Sequence, residues 1–98
     1  MRRPFLQPTT SESLIERARR LRRKGETRKA IVAMREACLR DDGAAWEWAL
    51  YGAWLAEAGR TSEAEEAYAH ALWLRRKSGD SARARTMQRL LAHLRHAA

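Results

Sequence analysis

Few side chains in this 98-residue sequence stand at spacings that chemistry requires. His93 and His96 lie three apart, so on a helix they share a face, as two ligands of one metal would. No cysteine or carboxylate stands near them in sequence to complete such a site. They are read instead as a solvated helix end, where the terminal dipole favours cationic side chains. Glu63, Glu65 and Glu66 open a helix, where negative charge is favourable. Asp41-Asp42-Gly43 begins like a calcium loop but lacks the later ligands, so it reads as a turn. Cys38 is the single cysteine, which excludes an intrachain disulfide. It falls on an apolar helical stripe and reads as a small core residue rather than a nucleophile. No phosphate-binding glycine loop, Gly-x-Ser-x-Gly or His-Glu-x-x-His is present. The expectation is a protein without catalytic residues, cofactor or metal.

The scaffold that carries these residues is small. A chain of this length makes one domain. Nineteen alanines against 2 prolines and 5 glycines favour helix over strand. No apolar run approaches the ~20 residues of a membrane span. Met1-Arg2-Arg3 is basic, but Pro4 to Thr10 forms no apolar segment, so no signal peptide is expected. With a single thiol, the expected location is cytoplasmic. The formal charge is +8, and it is uneven: residues 1–44 hold 12 basic and 6 acidic side chains, against 8 and 6 in residues 45–98. The dense part is Arg17, Arg19, Arg20, Arg22, Arg23, Lys24, Arg28 and Lys29. Such a field favours acidic partners.

Periodicity divides the chain into a tail and five helices. Residues 1–10 carry both prolines and read as a flexible tail. Leu14, Ile15, Ala18 and Leu21 then recur at helical spacing, with Thr10 or Ser11 as N-cap and Gly25 as the stop. Thr27 is expected to cap a second helix, bearing Ala30, Ile31, Met34, Ala37 and Cys38. Asp41-Asp42-Gly43 ends it and is expected to cap a third, which runs through Trp48, Tyr51, Gly52 and Leu55 to Gly59. Thr61 is expected to cap a fourth, with Ala64, Ala67, Tyr68, Ala71 and Leu72 on its stripe. Ser78-Gly79-Asp80 breaks the chain again. The fifth helix places Ala84, Met87, Leu90, Leu91 and Leu94 on one side. Nothing alternates with a period of two, so the fold class is all-α.

The chain also repeats itself. An offset of 34 pairs Gly25 with Gly59, Leu21 with Leu55, Ala18 with Gly52, Thr27 with Thr61, Ala30 with Ala64, Met34 with Tyr68 and Ala37 with Ala71. Small residues at Ala18/Gly52 and Ala30/Ala64 let paired helices approach, and large ones at Leu21/Leu55 and Met34/Tyr68 fill the space beside them. Trp48-x-x-Tyr51-Gly52-x-x-Leu55 and Ala64-x-x-x-Tyr68-x-x-Ala71 resemble the W-x-x-L-G-x-x-Y and A-x-x-x-F-x-x-A patterns of the tetratricopeptide repeat (TPR) family. The first unit is more divergent, with Arg17 where an apolar residue is usual, and Asp42 and Arg76 replace the closing prolines. The resemblance covers residues 11–78. It implies a TPR-like right-handed helical solenoid: repeat 1 over about 11–44, repeat 2 over about 45–78, and a capping helix over about 80–96. That helix shows the last repeat Met87, Leu91 and Leu94, and shows solvent Arg83, Arg85, Arg89 and Arg95.

In that family the first helix of each repeat lines a concave groove. By position, the resemblance implies groove residues Trp46, Ala49, Leu50, Ala53, Ala56 and Glu57 from the second repeat, with Glu12, Ile15, Arg19, Arg22 and Arg23 from the first. The candidate partner-binding set is Ile15, Arg19, Arg22, Arg23, Trp46, Leu50 and Ala53, suited to a peptide with an apolar anchor and acidic flanks. For Trp46 the competing reading is burial under the tail. Trp54 and Trp73 are expected to pack, against the neighbouring repeat and the final helix respectively. The family's carboxylate clamp is not expected: asparagine is absent, and its positions read Ile15, Arg19 and Leu50. Alternatives are nucleic-acid binding through the arginine-rich first helix, and a homo-oligomer that completes the short solenoid. Against nucleic acid, Arg17, Arg20 and Lys24 lie on another side of the helix from Arg19, Arg22 and Arg23, and no aromatic lies within 17–29 to stack a base. Phe5 and Leu6 of the tail offer an internal ligand mimic.

Overall fold

The structure is a computed structural model that describes residues 11–97; the tail, with Phe5, Leu6 and Thr10, lies outside them. Five helices follow one another: α1 (Ser11–Arg23), α2 (Thr27–Arg40), α3 (Ala45–Glu57), α4 (Thr61–Lys77) and α5 (Ser81–Ala97). No strand occurs among the described residues, so the protein is all-α. The chain divides after Asp41 into two compact units, one holding α1 and α2, the other α3, α4 and α5. The division falls a few residues before the repeat boundary expected near 44.

Three turns join the helices within these units, and all three have one geometry. Gly25, Gly59 and Gly79 adopt φ of 84°, 78° and 77°, a left-handed conformation that side chains disfavour. The amide after each glycine reaches back five residues: Glu26 to the Leu21 carbonyl, Arg60 to Leu55 and Asp80 to Arg75, each at 2.9 Å. Each glycine amide also bonds the carbonyl three residues back, at 3.0 Å. These paired bonds satisfy carbonyls that a helix end leaves without partners. The residue after each glycine then pairs with a charge three residues on: Glu26 with Lys29, Arg60 with Glu63, and Asp80 with Arg83. The charge order is reversed at the middle turn.

This geometry corrects three expected caps. The caps of α2 and α4 are Glu26 and Arg60, with no side-chain cap bond, so Thr27 and Thr61 are the first helical residues. The left-handed glycine leaves room for one linking residue, and that residue takes the cap position. Ala44, again without a side-chain bond, caps α3, not Asp41 or Asp42. At α5 the Asp80 carboxylate does cap, accepting the Arg83 amide at 3.1 Å.

Each unit is built on the small–large complementarity of its hairpin. Gly52 lies against Tyr68: a Cβ at position 52 would stand 2.6 Å from Tyr68 Cδ1, closer than packed carbons tolerate. The equivalent residues of the first hairpin, Ala18 and Met34, are both fully buried. In the second unit α4 packs against both α3 and α5. Tyr68, Ala71, Met87 and Leu91 form a buried cluster there, with Trp48, Ala49, Leu72 and Leu94 packed on it. The apolar face expected of the last helix therefore meets α4, while Leu90 stays at the surface.

Candidate interaction site

Residues at 46, 50 and 53 fall on one face of α3, because steps of four and three residues return to the same side of a helix. Trp46 is 44% exposed, and Leu50 and Ala53 are half-buried. The helix thus presents an indole beside an aliphatic and a small side chain, followed by exposed Glu57. The competing reading, burial of Trp46 under the tail, falls on residues outside the described ones. On α1 the same spacing aligns Arg19, Arg22 and Arg23, all exposed. Ile15 belongs to that line by number, yet it is 7% exposed. Its side chain is a core contact of α1 and offers a partner almost no surface, which corrects its place in the candidate set. The structure brings Trp46, Leu50 and Ala53 together on α3, and the three arginines together on α1.

Among the remaining aromatics it is Trp73 that departs from expectation. Tyr51, Trp54 and Tyr68 are buried. Burial also pushes the Tyr68 hydroxyl above its ordinary pKa, with the charge of Glu57 adding to it. Trp73, expected against the final helix, is 55% exposed, which overturns that expectation. It meets two neighbours on its own helix: the His70 ring lies 6.0 Å away, and Lys77 Nζ stands 4.8 Å from its centre. The lysine over the indole is a cation–π contact that shields one face of an exposed ring. Apolar periodicity places Trp73 beside the α4 stripe but does not say whether another helix reaches it.

His70 was not singled out by sequence, and it links two tryptophans. Its ring lies 4.3 Å from that of Trp48. His70 Nε2 is 2.9 Å from the Asp42 carbonyl, which also accepts the Trp48 indole N–H at 3.0 Å. A carbonyl only accepts, so Nε2 carries the proton in this contact. Asp42 is thereby tied to α3 and α4 through its backbone carbonyl. Spacing of i, i+3 and i+7 for His70, Trp73 and Lys77 was the available signal for this array.

The chemical candidates from sequence stay apart. His93 and His96 are exposed on α5, and Cys38 is buried. Glu63 is held by Arg60 at 2.7 Å, and that hydrogen bond raises the Arg60 pKa above its ordinary value. Glu47 is buried on α3 between Trp46 and Trp48, and sequence reasoning did not mark it. Among the described residues no three histidine, cysteine or acidic side chains converge as metal ligands do. No described helix is long and apolar enough to cross a membrane. Comparison with known proteins finds no matching family model, no matching curated protein and no matching solved structure.

Proposed function

We propose that the chain is a non-enzymatic, cytoplasmic protein-interaction adaptor of the tetratricopeptide type. Its two hairpins form a right-handed helical solenoid closed by α5, and it binds a peptide or helix of a partner. The observation that carries this reading is the apolar face of α3, where Trp46 stays 44% exposed beside half-buried Leu50 and Ala53. A tryptophan left at the surface beside aliphatic side chains is a common anchor of protein interfaces. Exposed Arg19, Arg22 and Arg23 add the charge that steers an acidic partner. The 34-residue repeat and the matching turns at Gly25 and Gly59 support the family assignment.

A capture experiment from nuclease-treated source lysate tests the reading, comparing wild type with Trp46→Ala and with Arg19/Arg22/Arg23→Ala. One protein recovered by wild type and lost in both variants is the expected result. Recovery of nothing unless the nuclease is omitted would overturn it in favour of nucleic acid. A mass that rises with concentration in light scattering, and falls in Trp46→Ala, would assign the α3 face to a second copy.

A further inference from the structure

The α1–α2 hairpin holds a cleft of about 370 Å³, within the range of small binding sites. Leu21, Val32 and Ala33 supply its apolar lining, and Arg17, Arg28, Lys29 and Glu36 its charged one. Val32 is 61% exposed, the most exposed large apolar side chain among the described residues. Arg17 and Arg28 make no side-chain hydrogen bond or ion pair among the described residues, whereas Lys29 is tied to Glu26 at 3.0 Å. Two guanidiniums with no such partner among the described residues therefore flank an apolar strip.

The other hairpin shows that this is a departure from the repeat. Thirty-four residues on, Arg17 becomes Tyr51, Lys29 becomes Glu63 and Val32 becomes Glu66. Tyr51, Leu55 and Ala67 are all buried there. The first hairpin has exchanged a buried ring for a cation, and two acids for a lysine and a valine. We infer that this cleft is a docking site for an acidic amphipathic segment of a partner protein. An aliphatic side chain of the segment would rest on Leu21 and Val32, and its carboxylates would meet Arg17 and Arg28. Charge selects this occupant. The chain's own tail carries Arg2 and Arg3 and no acid. A second copy carries a formal charge of +8, which opposes its approach to a cationic cleft. Arginine forks carboxylates in two-pronged hydrogen bonds, so the contact is specific as well as attractive. This surface is distinct from the α3 face, and neither depends on the other.

The test uses the full chain, ¹⁵N-labelled, and a capped helical peptide of about four turns with leucines on one face and glutamates on the others. A control peptide replaces each glutamate by lysine. The expected result is amide shifts at Leu21, Lys29, Val32 and Ala33 with the glutamate peptide only. Arg17→Glu/Arg28→Glu should weaken binding at least tenfold, and Val32→Asp severalfold, with unchanged helical content because all three positions are exposed. Trp46→Ala should leave this binding unchanged, which separates its failure from failure of the α3 reading. Shifts confined to Trp46, Leu50 and Ala53, equal binding of the lysine peptide, or no binding would each overturn the inference. A tenfold gain on deleting residues 1–10 would also overturn it, by assigning the cleft to the tail.

Discussion

Leu21 and Leu55 occupy the same step of the repeat, just before the same glycine turn, yet Leu55 is fully buried and Leu21 only partly so. The two hairpins thus share a backbone device while differing in what their faces meet. In the second, the position three residues after Trp48 is a buried tyrosine, and α4 is covered further by α5. In the first, the same position is Arg17 and the neighbouring face stays open as a cleft. The difference teaches that the turn fixes how two helices pair, while a few large side chains decide which hairpin face closes. Backbone geometry is copied between repeats; surface is not.

The sharpest way to break this comparison is to truncate both leucines. Leu55→Ala should cost about 3 kcal/mol, as for a fully buried leucine, and Leu21→Ala about 1 kcal/mol, because part of that site already meets solvent. Urea unfolding of the two variants gives the ratio directly. Equal losses would mean that the hairpins are equally closed in solution.

A smaller effect tests whether the Gly52–Tyr68 and Ala18–Met34 pairs are alternative solutions of one packing problem. Gly52→Ala should destabilise by about 1–2 kcal/mol, since the clash with the ring outweighs the gain in helix propensity. Adding Tyr68→Met recreates the first hairpin's pair, and the double variant should recover part of the loss. Strictly additive losses in the cycle would show that the two positions do not sense each other.

The smallest effect concerns the third turn. The hydrogen bond from Arg83 holds the Asp80 carboxyl below its ordinary pKa, helped by the Arg83 backbone amide. A lowered folded-state pKa stabilises the fold above the ordinary carboxylate range, and that stability is lost as pH falls through the lowered value. Wild type should therefore be modestly more stable than Asp80→Asn at neutral pH. The difference in melting temperature should vanish in acid. A gap that persists at low pH would mean that the carboxylate's charge is not what matters.

Much of the fold was legible because it rests on local signals. Gly25, Gly59 and Gly79 mark left-handed turns, and the small–large alternation at Gly52 and Tyr68 marks a close helix approach. The caps of α2 and α4 were displaced by one residue, because threonine is a good cap in general and the linking residue after each glycine was not counted. The candidate site was legible in part. Trp46, Leu50 and Ala53 share a face by number alone, but Ile15 shares a number pattern with Arg19 and Arg22 while its side chain is buried. Trp73 and His70 were misjudged or missed for one reason: helical spacing says which residues are neighbours, not which neighbours another element covers. Arg17 stood out as a departure from the repeat, yet only three-dimensional structure shows the cleft it flanks.

The recurring glycine turn also has a kinetic consequence. Each one joins helices adjacent in sequence through a short link, so the loop closures that precede packing are short. A chain whose packing is this local should fold on the microsecond-to-millisecond scale. Within its unit α4 is held from two sides and α5 from one. Hydrogen exchange should therefore be slowest along α4, and α5 should open before its neighbour does.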